Sequence, residues 1–177
     1  MSATTLVLGG TRSGKSAFAE SLLEDEPAVH YIATLAPSSD PSFGERVALH
    51  QRRRGPRYSV LELEEPKDLV RLLGFDDHPV LLDSIGTWIA RIDVCDTESI
   101  NLLTQQLIAI LRVRRKPLVI VSEEVGLAVH PITPAGRCFV DALGSINQTL
   151  AREAEHVFLV VAGIPIPLHQ FRRADER

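Results

Sequence analysis

The sequence predicts an α/β fold with a mostly parallel central sheet. Its 177 residues suit a single domain, and short runs of valine, isoleucine and leucine alternate with longer amphipathic stretches. The apolar runs show little alternation with polar residues, which is typical of strands that are covered on both faces. We therefore expect one domain over residues 1–177, with ligands bound at the carboxyl ends of the strands.

Five segments are predicted as strands and three as helices. The strands cover residues 5–8, 29–33, 79–82, 117–122 and 156–162. Apolar residues repeat at helical spacing in the segments 15–23, 97–112 and 138–153. Proline and glycine mark two further segments as loops: an excursion at about 36–57, with a short helix around 43–53, and the segment 126–136. The excursion has the length of a lid or substrate loop.

The composition disfavours nucleic acid and membrane as partners. The formal net charge is -4, and the basic clusters at 52–54 and 112–116 are short. No apolar run approaches the roughly 20 residues that span a bilayer, and the run at 6–8 is too short for a signal peptide. The two cysteines, Cys95 and Cys138, have no CxxC spacing, which favours reduced thiols over a disulfide or a zinc site. We expect a cytoplasmic protein.

Residues 9–16, GGTRSGKS, match the phosphate-binding pattern G-x-x-x-x-G-K-[ST]. The motif directly follows a predicted strand and precedes a predicted helix, which is the context that this pattern requires. Backbone amides of such a loop face phosphate oxygens, Lys15 reaches the terminal phosphates, and the hydroxyl of Ser16 can bind Mg²⁺. The motif predicts a P-loop NTPase fold of the RecA-like three-layer type, with a nucleotide cradle formed by Gly9, Gly10, Thr11, Arg12, Ser13, Gly14, Lys15 and Ser16.

Three carboxylates are expected near this cradle. Asp83 ends a predicted strand, where a second magnesium ligand would lie, although a helix N-cap is the alternative interpretation. Glu123 and Glu124 close the next strand, and either could be a substrate ligand, a general base or a surface residue. Among the six histidines, His50 lies beside the arginines at 52–54, and by position alone it is either a surface residue or a catalytic group.

Several further segments occur in a specific order along the chain. They are YIAT at 31–34, RVxxH at 46–50, LLD at 81–83 followed by TW at 87–88, SxEVG at 122–126, DxLGxxNQ at 141–148 and GIP at 163–165. Together with the phosphate loop, they resemble the bifunctional adenosylcobinamide kinase/adenosylcobinamide-phosphate guanylyltransferase family of cobalamin biosynthesis. The resemblance extends from about residue 5 to residue 167.

The resemblance implies two reactions. ATP or GTP first phosphorylates a hydroxyl of adenosylcobinamide. GTP then guanylylates a histidine and releases pyrophosphate, and adenosylcobinamide phosphate takes the GMP to give adenosylcobinamide-GDP. The matching histidine in this sequence is His50, and a neutral imidazole nitrogen can attack an α-phosphorus near neutral pH.

The resemblance also implies the site residues, Mg²⁺ as the metal and a homotrimer as the assembly. Glu62 is implied as the guanine contact, with Glu64 or Glu65 as alternatives because residues 50–66 carry small insertions relative to the family. The chain departs from the family at Ser84, where cysteine is frequent, and at Glu123, where asparagine is common. Mg²⁺ is assigned to Ser16 and Asp83, and the nucleotide contacts beyond the cradle are Ala33, Thr34, Leu35, Gln51, Arg52, Arg53, Arg54, Glu62 and Asp83.

Three other functions fit the phosphate loop alone. A different small-molecule P-loop kinase would use Lys15 and Asp83 but would leave His50 idle. A regulatory GTP-binding switch is disfavoured because the sequence has no N-K-x-D guanine motif. A nucleic-acid-dependent ATPase is disfavoured because the chain is acidic and its nine aromatic residues, six Phe, two Tyr and one Trp, offer no stacking platform.

Overall fold

The computed structural model describes residues 4–34, 55–74 and 78–171. Most of the predicted excursion, residues 36–54 with the helix expected around 43–53, lies outside these ranges. The same holds for Leu35, His50, Gln51 and the arginines at 52–54.

The described part of the chain contains one sheet of seven strands in the order β3-β2-β4-β5-β1-β6-β7. All neighbouring pairs are parallel except β6 and β7, which form an antiparallel hairpin. The predicted mostly parallel sheet is therefore confirmed. The strands are β1 Thr4–Gly9, β2 Val29–Ala33, β3 Tyr58–Glu62, β4 Val80–Asp83, β5 Leu118–Glu123, β6 His156–Val161 and β7 Ile164–Pro167.

Helices cover both faces of the sheet and make three layers. The side chains of each strand point alternately to two cores: Leu6 and Leu8 join one core, whereas Val7 joins the other. Helix α1 packs on the Val7 side, and α2 to α5 pack on the Leu6 side. The helices are α1 Lys15–Ser21, α2 Asp68–Gly74, α3 Ile85–Ile89, α4 Thr97–Val113 and α5 Pro134–Glu153, and a 3₁₀ turn, Leu168–Phe171, ends the described chain.

The predicted strands agree with the structure within one residue at each end, but β3, β7, α2 and α3 are missing from the prediction. Strand β3 forms one edge of the sheet and has no buried residue, so it lacks an apolar run. Strand β7 contains two prolines, which are tolerated there because β7 forms the opposite edge. Helices α2 and α3 have only seven and five residues, too few to show a helical repeat.

The prediction of a loop over the whole segment 126–136 is wrong at its end, because α5 already begins at Pro134. The hydroxyl of Thr133 accepts a hydrogen bond from the amide of Gly136 at 3.1 Å and so caps the helix. Proline fits the first turn of a helix, where its missing N–H has no partner to lose. The proline that suggested a loop is thus part of the start of the helix.

The prediction of two reduced, unpaired cysteines is also wrong. Cys95, which precedes α4, and Cys138, in α5, form a disulfide with their Cα atoms 5.3 Å apart. The spacing of cysteines along a chain does not report the distance between the elements that carry them. Here α4 and α5 pack side by side, which brings the two residues together.

Reduction of this disulfide is expected to lower the melting temperature. A cross-link between residues 43 positions apart removes chain entropy from the unfolded state, and the chain-entropy model assigns roughly 4 kcal/mol to it. The measurement is thermal unfolding with and without a reductant. A Cys95→Ser/Cys138→Ser double variant should melt at the lower temperature under both conditions. Equal melting temperatures for the oxidised and reduced wild type would refute the stabilising role.

Hydrogen bonds to carboxylates hold both ends of α4. Asp96 caps its first turn, and hydrogen bonds from Ser99 lower the pKa of the Asp96 carboxyl. Arg112 binds Glu153 of α5, and this hydrogen bond lowers the pKa of Glu153. Each carboxylate stabilises the fold at pH values above its ordinary titration range, and the contribution is lost as the pH falls through the lowered pKa.

In the described residues, no helix is both long and apolar enough to cross a bilayer.

Candidate functional site

Residues 9–16 form a tight turn that leads from β1 into α1. The turn is closed by a hydrogen bond from the amide of Ser13 to the carbonyl of Gly10 at 3.2 Å. Gly14 caps α1 in the left-handed region, with φ 95°, and a Cβ at this position would lie 3.1 Å from Cα of Gly163. Glycine satisfies both the backbone conformation and this close approach. The strand–turn–helix context predicted for the cradle is therefore present.

The hairpin between β6 and β7 braces the cradle from outside. The amide of Gly163 donates to the carbonyl of Ser13 at 2.7 Å. Ala162 and Gly163 both have positive φ, 51° and 82°, as the turn of this hairpin requires. The GIP segment at 163–165 thus supports the phosphate loop.

Lys15 lies at the start of α1 and is only 9% exposed. Its ammonium donates to the carbonyl of Gly10 at 3.4 Å and lies 3.8 Å from Oε1 of Glu123. A nearly buried ammonium requires such partners because desolvation of an unpaired charge is costly. Lys15 is therefore a positive charge held beside the turn of residues 9–16. An ammonium in this position is suited to bind phosphate oxygens.

Glu123 is the carboxylate that meets Lys15. It ends β5, which is the neighbour of β1, and it pairs in register with Gly9 of the cradle. The hydroxyl of Ser84 donates to both carboxylate oxygens, at 2.8 and 3.0 Å, and the amide of Gly86 donates to Oε2 at 2.9 Å. Neither Ser84 nor Gly86 was among the predicted site residues.

Asn147 of α5 holds the backbone of Glu123. Its side-chain amide donates to the Glu123 carbonyl at 3.0 Å, and its Oδ1 accepts from the hydroxyl of Ser122 at 2.6 Å. This asparagine belongs to the LGxxNQ segment and is only 6% exposed. Asn147 therefore holds the carboxyl end of β5 in position next to the cradle.

Gly86→Ala is expected to move the Glu123 carboxylate away from Lys15. A Cβ on residue 86 would collide with Oε2 of Glu123, so we expect a loss of about tenfold in triphosphate-dependent kcat/KM with the fold retained. Steady-state kinetics and thermal unfolding give the two measurements. The matched control is Gly74→Ala, where a Cβ makes only an ordinary contact at 3.5 Å. Wild-type kinetics in the Gly86 variant would contradict this expectation.

Thr34 lies beneath the site and is completely buried. Its hydroxyl accepts the amide of Ser84 at 2.8 Å, donates to the carbonyl of Ser84 at 2.7 Å and lies 2.6 Å from the hydroxyl of Thr87. These bonds fix the turn between β4 and α3, and Ser84 in turn caps α3. Thr34 is one of the predicted nucleotide contacts. Its hydrogen bonds show that it holds Ser84 in position.

Three other predicted residues share the carboxyl edge of the sheet. Ala33 pairs in register with Glu62 on one side and with Asp83 on the other. Asp83 is half-buried and accepts a hydrogen bond from the hydroxyl of Tyr31 at 3.2 Å. Strand β5 separates β4 from β1, so Asp83 is one strand further from the cradle than Glu123.

Arg91 organises the segment that follows Glu62, and sequence reasoning missed it. Its guanidinium donates to the carbonyl of Thr34 at 3.2 Å, to that of Leu63 at 2.7 Å and to that of Glu64. Glu64 and Glu65, the alternatives to Glu62, lie between β3 and α2, and all three glutamates are exposed.

A cavity of about 390 Å³ adjoins the cradle beside β6. Glu124 lines it, and its Oε1 accepts from the amide of Gly126 at 2.8 Å. The structure therefore separates the two neighbouring glutamates, since Glu123 meets Lys15 and Glu124 faces the cavity. The other lining residues are Gly10, Thr11, Arg12, Ser13, Leu127, Ala128, Leu159, Val160, Val161 and Ala162.

The predicted nucleophile and its neighbours lie outside the described residues, so the structure shows the cradle without His50. Within the described ranges, no three His, Cys, Asp or Glu side chains form a cluster that could hold a metal ion by themselves.

Comparisons with known proteins identify the family of this chain. Residues 5–168 match the model of the family described as cobinamide kinase / cobinamide phosphate guanyltransferase. The chain is 36% identical to the bifunctional adenosylcobalamin biosynthesis protein CobP of Pseudomonas aeruginosa, over 92% of this chain and 95% of that protein. It is 33% identical to the bifunctional adenosylcobalamin biosynthesis protein CobU of Escherichia coli, over 92% and 98%.

The fold also resembles that of an ATPase from the type III secretion system of pathogenic bacteria. The TM-score is 0.52 at 10% identity, and the match covers 99% of this chain but 60% of that structure. At this identity the likeness concerns the fold alone. Together with the phosphate loop, it confirms the predicted P-loop NTPase class.

Proposed function

The chain belongs to the cobinamide kinase / cobinamide phosphate guanyltransferase family. On that premise, we propose that it carries out the kinase and the guanylyltransferase reaction of this family in cobalamin biosynthesis. It phosphorylates adenosylcobinamide with ATP or GTP and then converts the phosphate with GTP to adenosylcobinamide-GDP and pyrophosphate. The observation that carries the proposal is the nearly buried ammonium of Lys15 beside the closed turn of residues 9–16.

In the first reaction, the cradle holds the triphosphate. Backbone amides of residues 9–16 bind phosphate oxygens, and Lys15 neutralises the charge that shifts between the β- and γ-phosphates. Phosphoryl transfer needs positioning and charge stabilisation more than covalent chemistry by the protein. The turn and the nearly buried Lys15 supply both, because hydrogen bonds set their geometry before the substrate arrives.

In the second reaction, we propose that the imidazole of His50 attacks the α-phosphorus of GTP and that pyrophosphate leaves. The phosphoramidate then passes GMP to the phosphate oxygen of adenosylcobinamide phosphate, so one difficult displacement becomes two. Arg52, Arg53 and Arg54 begin two residues after His50, and their guanidinium groups would stabilise charge on the phosphoryl oxygens. Glu62 is proposed as the guanine contact, with Ala33 beside it at the sheet edge. Leu35 and Gln51 are proposed as further nucleotide contacts.

The residues present fit a bound Mg²⁺. Ser16 offers a hydroxyl in the first turn of α1, and Asp83 offers a half-buried carboxylate at the same edge of the sheet. Mg²⁺ is typically held by one or two protein oxygens together with substrate phosphates, so a cluster of three carboxylates is not required. The ion would neutralise charge on the phosphoryl oxygens.

Family resemblance also supports a homotrimer located in the cytoplasm, and we propose this state for the chain. Sedimentation equilibrium would show three copies in solution. A monomer at all concentrations would contradict this assembly.

The direct test is incubation with GTP, Mg²⁺ and adenosylcobinamide phosphate, followed by chromatographic and mass-spectrometric detection of the corrinoid product. We expect adenosylcobinamide-GDP and pyrophosphate in equal amounts. A parallel reaction with adenosylcobinamide and ATP or GTP should give adenosylcobinamide phosphate. If adenosylcobinamide phosphate forms but adenosylcobinamide-GDP does not, the chain is a P-loop kinase without histidine-linked transfer.

A further inference from the structure

We propose that Glu123 is the catalytic residue that receives the acceptor hydroxyl in the phosphoryl-transfer reaction. Its carboxylate accepts a hydrogen bond from the alcohol and takes the proton as the oxygen attacks the γ-phosphorus. The inference rests on the proposed function, and it chooses among the roles of substrate ligand, general base and surface residue that the sequence left open for Glu123.

The position of the Glu123 carboxylate supports this role. Oε1 of Glu123 lies 3.8 Å from the ammonium of Lys15, and the lysine of such a loop binds the β- and γ-phosphates. An alcohol that attacks the γ-phosphorus must come within about 3–3.5 Å of it. The attacking oxygen and the Glu123 carboxylate are thus directed to the same small region. The Glu123 side chain is 24% exposed, which leaves it reachable.

Hydrogen bonds also hold the Glu123 carboxylate rigidly. The Gly86 amide and the Ser84 hydroxyl bind Oε2, and the same hydroxyl lies 2.8 Å from Oε1. Asn147 fixes the backbone of the same residue. An ionised carboxylate accepts up to about four hydrogen bonds, so Oε1 retains the capacity for one from the acceptor.

The charges around the transferring phosphate also favour this role for Glu123. A carboxylate beside a transferring phosphate is repelled unless it meets a cation or a hydrogen-bond donor. When the triphosphate draws the ammonium of Lys15 towards its own oxygens, the acceptor hydroxyl is the donor that the reaction supplies. The other two carboxylates are placed differently: Asp83 is one strand further from the cradle and binds Tyr31, and Glu124 lines the cavity.

The step balances without a further reactant. The bond between the acceptor oxygen and the γ-phosphorus forms, and the bond from the γ-phosphorus to the β,γ-bridging oxygen breaks. The nucleoside diphosphate leaves with that electron pair. The proton of the hydroxyl moves to Oε1 of Glu123 and is released to solvent after the product departs.

The test compares Glu123→Gln with wild type in two reactions, phosphoryl transfer to adenosylcobinamide and guanylylation of the enzyme. General-base catalysis contributes about 10²-fold or more, so we expect the kcat of phosphoryl transfer to fall by about 10²-fold. The KM for the triphosphate and the rate of enzyme guanylylation from α-labelled GTP should stay within about threefold. Ser84→Ala, which keeps the carboxylate but removes one bond that orients it, should lower the kcat of phosphoryl transfer by about tenfold. Glu98→Gln, on the exposed first turn of α4, is the matched control.

Three outcomes are distinguishable once thermal unfolding shows that Glu123→Gln is folded. An unchanged kcat of phosphoryl transfer overturns the proposal. A parallel loss of rate in phosphoryl transfer and in enzyme guanylylation, with a raised KM for the triphosphate, also overturns the proposal. Glu123 would then only hold Lys15 in place. If wild type itself phosphorylates no adenosylcobinamide, the proposed function fails and the role of Glu123 is overturned with it.

Discussion

Lys15→Ala is expected to abolish triphosphate-dependent turnover in both reactions. The ammonium lies against the cradle and donates to the carbonyl of Gly10, and in the variant the charge that develops between the β- and γ-phosphates loses this partner. We expect a loss of at least about 10³-fold in kcat/KM for each reaction, as is typical when a charge that stabilises a phosphoryl transition state is removed. Steady-state kinetics with ATP and with GTP would measure it.

The control for this variant is Lys67→Ala, which removes an exposed lysine in the turn before α2 and should leave kinetics unchanged. Loss of the ammonium also leaves Glu123 without its ionic contact, so thermal unfolding should accompany the assay. A folded Lys15→Ala enzyme with wild-type kcat/KM would show that residues 9–16 are not the site of the triphosphate.

His50→Ala is expected to eliminate the covalent guanylyl adduct and the formation of adenosylcobinamide-GDP. The attack on the α-phosphorus requires a nucleophile, and alanine offers none. Phosphorylation of adenosylcobinamide should continue at a rate within about threefold of wild type, because that step depends on the cradle and not on the imidazole. Retention of α-label on the denatured protein and the two corrinoid products are the measurements.

His130→Ala, in the exposed loop before α5, serves as the comparison and should keep the adduct. An adduct that persists in His50→Ala would move the nucleophile to another residue. Loss of both reactions in this variant would instead show that residue 50 contributes to triphosphate binding.

The parts of the fold that the sequence predicts well are those with strong local signals. Apolar runs mark β1, β2, β4, β5 and β6 because these strands are covered on both faces. The phosphate loop is predictable because its glycines, lysine and serine serve one local geometry. Elements at the sheet edges, β3 and β7, carry polar residues or prolines and therefore give no such signal.

The contacts within the candidate site depend on strand order, which no local pattern reports. The sequence places Asp83 and Glu123 at the ends of two strands but does not tell that β5 lies between β4 and β1. This order is the reason that Glu123, and not Asp83, meets Lys15. The disulfide between Cys95 and Cys138 escapes prediction for a related reason, since it depends on how α4 and α5 pack.

Three residues of the site hold Glu123 in place, namely Ser84, Gly86 and Asn147. Ser84 and Gly86 bind the Glu123 carboxylate, and Asn147 binds its backbone. A signal for the first two exists in the sequence, because serine and glycine occur within three residues after a strand that ends in aspartate. It becomes interpretable only when the neighbouring strand is known.

The most direct test of the account is a transfer experiment with the isolated guanylylated enzyme. Wild-type protein is incubated with α-labelled GTP and Mg²⁺, freed of nucleotide, and mixed rapidly with adenosylcobinamide phosphate. The account predicts that the label resides on the peptide that contains His50 and moves into adenosylcobinamide-GDP at least as fast as steady-state turnover. A label that stays on the protein, leaves more slowly than turnover or resides on another peptide would contradict it.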